Sequence, residues 1–353
     1  MLAIKVSVGR SATTFLHAQV GNGEATSANR LVEVGGSLAR VAAVADSLRV
    51  SATGHVTKTV AVPNLDATLD VILDTLSTTT TGRSAGCGKS PTLTSGARTI
   101  SSGGSNRSYI LRIPPSYDNN HPYPLVFAYH WLGGTKEDVD GGGTSGYTWS
   151  YYGLREKADL STDHKMIFVA AQGNGNGWGN GGNSDVILTD DMIKVIEADL
   201  CVDTQRLFAM GFSYGGGMTK ALGCQRPKVF RALAVYAGAD FLSGGCDASS
   251  TAPIAYIGLH SVNDGTNAYS SGEAIRDRFV RNNGCTPATT ARPVNNNHVC
   301  TIYQGCKTGY PTEWCAFDGG GHGPAPVDGQ TNGYGGGEKT WTKAEVWKFF
   351  TQF

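Results

Sequence analysis

What the chain has little of narrows the field first. Charged residues make up only 16% of its 353 residues, and 29 Lys and Arg offset 29 Asp and Glu to a formal net charge of +0. With no excess of either sign there is no long-range field to draw in nucleic acid or an acidic membrane surface, so neither is expected as a partner. No apolar run approaches the roughly 18 residues a membrane helix needs, and a soluble chain is expected. No two cysteines stand as C-x-x-C, so no zinc knuckle and no metal ligand set is expected. Residues 1–76 hold neither cysteine nor tryptophan. Met1 to Arg10 alternate apolar and polar residues, instead of a charged leader followed by an apolar run, so a signal peptide is not visible there.

Against these absences stand eight cysteines, all after residue 86. An even, scattered set of this kind predicts four disulfides, an oxidising compartment and a secreted, extracellular protein, although spacing leaves the pairing open. Glycine is abundant, at 48 residues, and gathers in stretches such as 141–143, 173–182 and 333–337, which predicts a loop-rich surface. The hydroxyl-rich run Ser77 to Thr81 (STTTT) has no apolar anchor and divides the chain. Residues 1–76 form an uncharacterised segment, either a small β-rich module or a leader, with alternating stretches at Leu2 to Val8 and Thr57 to Val62 and a helix expected over Leu65 to Leu76. Residues 77–83 are expected to be a linker and 84–353 the main domain.

In that domain, apolar runs of strand length alternate with helix-like segments. Strands are predicted at 109–113, 125–130, 166–172, 207–212, 233–237 and 254–260, and helices at 189–200, 218–226, 272–282 and 339–350. Continuous apolar strands interleaved with helices predict an α/β fold with a mostly parallel central sheet covered on both faces. Functional groups in such sheets gather at the carboxyl ends of the strands.

One such end carries Gly211-Phe212-Ser213-Tyr214-Gly215, directly after an apolar strand and before a helix-compatible segment. This is the context of the G-x-S-x-G nucleophile elbow of α/β-hydrolases, and it makes Ser213 the candidate nucleophile. A serine hydroxyl needs a histidine to take its proton and a carboxylate to orient the histidine, and in this fold they follow in the order Ser, acid, His. Only His298 and His322 lie late enough. His322, in the loop Asp318-Gly319-Gly320-Gly321-His322-Gly323 after an apolar segment, is the candidate base, while His298 in Asn295-Asn296-Asn297-His298 resembles a solvated turn residue. Asp264, in a short polar loop ending in Gly265, is the preferred acid. Asp240 also follows a strand, and Asp318 is too near His322 in sequence. The oxyanion hole needs two N–H donors, for which Tyr214 and Trp131, in His130-Trp131-Leu132-Gly133-Gly134, are the candidates. Trp178 and Tyr151 lie in Gly-rich loops and are candidates for stacking on an aromatic or sugar ring, with packing as the alternative.

With those residues in place, Ser84 to Phe353 resembles the fungal feruloyl esterases of the type C group, in the first carbohydrate esterase family. SAGCGKSPTL at Ser84, YILRIPPSYD at Tyr109, HWLGGT at His130, YYGL at Tyr151, EADLCVD at Glu197, GFSYGGGM at Gly211, RDRFVRNNGCTP at Arg276 and FDGGGHGPAPVD at Phe317 carry the likeness. The resemblance implies a monomeric esterase without metal or organic cofactor, whose partners are feruloylated arabinoxylan or pectin and small hydroxycinnamate esters, and it places Ser213, Asp264 and His322 on the family's triad motifs. Tannase-like feruloyl esterases instead carry cysteines beside the triad serine and histidine, and here there are none. The alternatives are an acetylxylan esterase or polyester depolymerase with the same triad, or a carbohydrate-binding protein that has lost catalysis. Asn106-Arg107-Ser108 is a glycosylation sequon.

Overall fold

The computed structural model describes residues 82–334 and 336–353 in full and, before residue 82, the backbone of eight strands. The chain divides into two compact units, Met1–Thr80 and Thr81–Phe353.

In the first unit the strands are β1 (Leu2–Val8), β2 (Leu16–Val20), β3 (Gly23–Thr26), β4 (Arg30–Val34), β5 (Ser37–Val44), β6 (Ser47–Ala52), β7 (Lys58–Ala61) and β8 (Thr68–Leu73). They form two four-stranded antiparallel sheets, β3-β2-β1-β8 and β4-β5-β6-β7. The helix expected over Leu65 to Leu76 is not formed. Its centre is β8, paired with β1 from Leu2↔Leu73 to Ser7↔Thr68. A short apolar run fits either period, and here a partner strand satisfies its backbone groups.

The second unit holds β9 (Gly96–Ser102), β10 (Ser105–Arg112), β11 (Tyr123–Tyr129), β12 (Ile167–Ala171), β13 (Val202–Phe212), β14 (Ala232–Tyr236), β15 (Ala255–Ser261), β16 (His298–Ile302) and β17 (Thr312–Phe317). Its helices are α1 (Lys136–Gly141), α2 (Leu154–Leu160), α3 (Ser184–Asp199), α4 (Tyr214–Gln225), α5 (Tyr269–Asn282) and α6 (Thr342–Thr351). The strands make one sheet in the order β16-β17-β15-β14-β13-β11-β12-β10-β9. From β12 to β17 the neighbours run parallel, and β16, β10 and β9 pair antiparallel at the edges.

The predicted α/β architecture with a mostly parallel sheet is therefore present. Strands β11, β12, β14, β15 and β17 are buried at every position because helices cover both faces. Side chains alternate between the two cores. Leu125, Phe127 and Tyr129 of β11 pack with residues of α3, α4 and α5, whereas Val126 and Ala128 pack with those of α2 and α6. Strand order reverses at β11, since β12 lies on one side of it and β13 on the other. Such a reversal opens a crevice at the carboxyl ends of the two strands.

All eight cysteines pair, as Cys87–Cys201, Cys224–Cys246, Cys285–Cys306 and Cys300–Cys315. No helix among the described residues is long and apolar enough to cross a membrane. Cys87–Cys201 closes a sequence separation of 114 residues and ties the start of this unit to the entrance of β13. Replacing both cysteines by serine should lower the unfolding free energy by about 4 kcal/mol, more than the loss for Cys300–Cys315 with its separation of 15. Denaturant melts of the two double variants check this order.

Candidate active site

Strand β13 ends at Phe212, and α4 begins at Tyr214, so a single residue makes the turn between them. That residue is Ser213, at φ 56° and ψ −115°, a conformation a non-glycine residue adopts only under local strain. The surroundings hold it there. Its N–H donates to the Tyr236 carbonyl at 2.9 Å, and its own carbonyl accepts from Gly217 N–H at 3.0 Å. Gly215 lets the turn press against the end of β11: a Cβ there would lie 2.1 Å from the Tyr129 carbonyl oxygen and 2.7 Å from that of His130. The buried Tyr152 ties the same two strands, its Oη donating to the Tyr129 carbonyl at 2.6 Å and accepting from Phe212 N–H at 3.3 Å.

His322 reaches Ser213 from the loop after β17. Gly319, Gly320 and Gly321 all have positive φ, at 76°, 74° and 50°, which lets the chain turn back toward β13. Asp318 anchors the loop by accepting from Asn296 N–H at 3.1 Å and from Asn263 Nδ2. The His322 ring then sits 4.8 Å from that of Phe212. His322 Nε2 lies 2.9 Å from Ser213 Oγ, and Nδ1 lies 2.8 Å from Asp264 Oδ2. Because an ionised carboxylate only accepts, Nδ1 carries the proton and the Nε2 lone pair faces the serine hydroxyl.

The Asp264 side chain has no solvent exposure. Its Oδ1 accepts from Thr266 and Asn267 N–H, each at 2.8 Å, and His260 Nε2 stands 3.3 Å from Oδ2. Burial alone would raise its pKa. Hydrogen bonds from His260 and His322, the charge His322 acquires, and the Asn267 N–H outweigh burial and hold the carboxyl far below the usual carboxylate range.

A second loop, His130 to Gly134, leaves the end of β11 beside the elbow. The Trp131 carbonyl accepts from His130 Nδ1–H at 2.7 Å and from Gly134 N–H at 3.0 Å. The His130 carbonyl accepts from Trp178 Nε1–H at 2.7 Å, and His130 Nε2 accepts from Gly173 N–H at 3.0 Å. Burial pushes the His130 pKa down, which suits the neutral ring these bonds require. Tyr214 is the first residue of α4, so its N–H has no acceptor within the helix.

Other expectations are corrected. Trp178 and Tyr151 have no solvent exposure, so neither ring is open to stack on a ligand. Trp178 packs edge-on against Tyr129 and holds the His130 carbonyl, while Tyr151 packs on Phe168. His298 is not a solvated turn residue: it opens β16, pairs with Asp328 at 2.8 Å and stacks on Trp341 at 3.9 Å. Asp240 lies beside Lys220, the His322 Nδ1 is taken by Asp264, and Asp318 braces its loop. The sequence prediction gave no role to His260 or Tyr152. The spacing His260-x-x-x-Asp264 was the visible signal for the first, and Tyr152 carried none.

The chain as a whole has close relatives among known proteins. The chain is 41% identical over 283 residues to the "probable feruloyl esterase C" of Aspergillus terreus, spanning 80% of this chain and 96% of that protein. It is 41% identical over 246 residues to the feruloyl esterase C of Emericella nidulans, across 69% of this chain and 85% of the relative. The chain belongs to the feruloyl esterase C family. It is thus a serine carboxylic ester hydrolase. A model of the prolyl oligopeptidase family matches residues 155–275, the part that contains the elbow and Asp264. Among solved structures, the acetyl xylan esterase from Aspergillus awamori superposes with a TM-score of 0.51 at 16% identity, over 73% of this chain and 99% of that one. This likeness places the family member in the α/β-hydrolase fold.

The close approach at Gly215 sets a test. Gly215→Ala should cost roughly 1–3 kcal/mol of stability and depress ester hydrolysis, because the methyl must displace the elbow from β11. Gly141→Ala, where a Cβ meets open space, should leave both unchanged, as thermal melts and initial rates will report.

Proposed function

We propose that this chain hydrolyses hydroxycinnamate esters, such as those of ferulate and coumarate, on plant cell-wall polysaccharides, with Ser213, His322 and Asp264 as its catalytic triad. The observation that carries the proposal is the unbroken hydrogen-bond chain between side chains 109 and 58 positions apart in sequence, at 2.9 and 2.8 Å. His322 Nε2 takes the Ser213 proton as Oγ attacks the ester carbonyl, and Asp264 stabilises the imidazolium that forms. The N–H groups of Tyr214 and Trp131 receive the oxyanion. His322 returns the proton to the sugar alcohol, which leaves. Water activated by the same nitrogen then frees the acid.

The acyl class rests on the curated relatives, which are named feruloyl esterases. Local structure is in keeping with it. Leu132 is exposed, and Gly177 brings its loop against both Leu132 and Tyr214, where a Cβ would lie 3.3 and 3.1 Å from their side chains. An apolar surface beside the nucleophile suits an aromatic acid better than acetate. The four disulfides support secretion. Residues 77–83 are proposed as the linker and 84–353 as the esterase domain, so a chain starting at Ser84 should keep full activity on methyl ferulate.

Two measurements test the proposal. Ser213→Ala should lower kcat on methyl ferulate by about four to six orders of magnitude with an unchanged circular dichroism spectrum. Near-normal turnover would sink the triad. The unmodified protein should show a higher kcat/KM on methyl ferulate than on naphthyl acetate. The reverse order would make it an acetyl esterase, and failure to label with a fluorophosphonate would make it a non-catalytic binder.

A further inference from the structure

The carboxylate of Asp264 meets two histidines. His322 is accounted for by the relay. His260, near the end of β15, is 1% exposed and approaches the same oxygen. Its Nε2 is 2.8 Å from the Asn267 carbonyl and 3.3 Å from Asp264 Oδ2. Both neighbours accept and neither donates, so Nε2 carries a hydrogen and shares it between them.

The fold makes room for this ring. Gly272 of α5 faces it so closely that a Cβ would stand 2.1 Å from Nδ1. Trp314 of β17 and Tyr269 of α5 wall it at ring distances of 6.1 and 5.9 Å. Asn267 is itself fixed, its side chain donating to the Ala237 carbonyl at 2.8 Å and its N–H donating to Asp264. The imidazole is therefore held on three sides, with its N–H against the acid of the relay.

We propose that His260 is a positioning residue for ester hydrolysis: its Nε2–H, anchored on the Asn267 carbonyl, fixes Asp264 Oδ2 toward His322 and keeps the carboxylate ionised during turnover. The inference rests on the proposed triad. Without this donor, Asp264 takes up a proton more readily, and the less satisfied carboxylate also binds the His322 imidazolium more strongly. Both effects move the acidic limb of kcat/KM to higher pH. The other titratable or charged groups facing the pair are Tyr334, which interacts electrostatically with Asp264, Tyr269 of α5 itself, Arg276 over the Trp314 ring at 5.3 Å and Arg292 over the Tyr269 ring at 4.9 Å. Burial alone would lower the Arg276 pKa, but its bond to Asp277 and the neighbouring acidic groups together outweigh burial and raise it, and burial raises that of Tyr334, so neither changes charge across the acidic limb.

His260→Met fills the space without a donor, and His260→Gln restores an N–H at nearly the same place. On methyl ferulate, His260→Met should lower kcat about tenfold with KM within about twofold and raise the acidic limb by roughly half to one pH unit. His260→Gln should stay within about threefold of the parent with the limb unmoved. Gly272→Ala, which displaces the ring and leaves it intact, should reproduce the limb shift. An unmoved limb in folded His260→Met or Gly272→Ala, or equal impairment by Gln and Met, overturns the inference. If Ser213→Ala is inactive while these variants behave as the parent, the triad stands and only the role of His260 falls. Nitrogen-15 NMR of the unmodified protein decides independently of any variant: an Nε2–H signal for His260 from about pH 5 to 8 is expected, and an Nδ1–H tautomer refutes it.

Discussion

A carboxylate with no solvent exposure survives in a protein only when donors surround it, and the arrangement around Asp264 organises the site. Its oxygens meet the N–H groups of Thr266 and Asn267, the ring of His260 and the ring of His322. Two of these come from the acid's own loop, one from the strand before it and one from the loop after β17. The carboxylate thus cannot be satisfied until β15 and β17 lie side by side, as their parallel register from Tyr256↔Thr312 to Ser261↔Phe317 places them. Pairing β15 with β17 is what brings the base and the acid together. Once formed, the pair leaves His322 a single tautomer, and so a single nitrogen free to face the serine.

The other half of the site depends on close packing of backbones. Positive φ at Ser213 is strained for a residue with a Cβ, and the turn persists because β14 supplies an acceptor for its N–H and β11 abuts Gly215. That abutment also brings the start of the His130 to Gly134 loop against the elbow. That the loop proposed to donate and the proposed nucleophile end neighbouring strands follows from the reversal of strand order at β11. Tyr152 and Trp178 then lock the loop and strand ends from beneath, each spending its polar atom on a β11 or His130 carbonyl. Aromatic residues do this well because a large apolar body fills the layer while one polar atom closes a bond.

What could be read from sequence was local. The parallel strands announced themselves as continuous apolar runs, the elbow by two glycines around a serine, and the histidine loop by three glycines after a strand. Asp264 emerged over Asp240 on loop character alone, and their distances to His322 could not enter that choice. The failures share a cause as well. Trp178 and Tyr151 sit among glycines that signal surface loops, yet both side chains turn into the core, and whether an aromatic side chain faces in or out is decided by tertiary packing. His298 follows three asparagines that suggest a turn, while its partners Asp328 and Trp341 lie 30 or more residues later. Cysteine pairing and β8 belong to the same class, since each is settled by a partner distant in sequence.

The division between shared and specific chemistry has a structural basis. The groups of the proposed relay satisfy one another, meet the His260 ring, or bind backbone of β14 and of the loop after β15. The fold itself tolerates wide change in sequence, since an acetyl xylan esterase superposes over 73% of this chain at 16% identity. On the proposed mechanism, selection among acids would fall to residues that flank Ser213 without bracing it. Leu132, exposed between the His130 turn and the loop at Gly177, is such a residue. Its side chain makes no hydrogen bond and fixes no part of the relay, so its size can vary with the acid while Ser213, His322 and Asp264 keep their geometry.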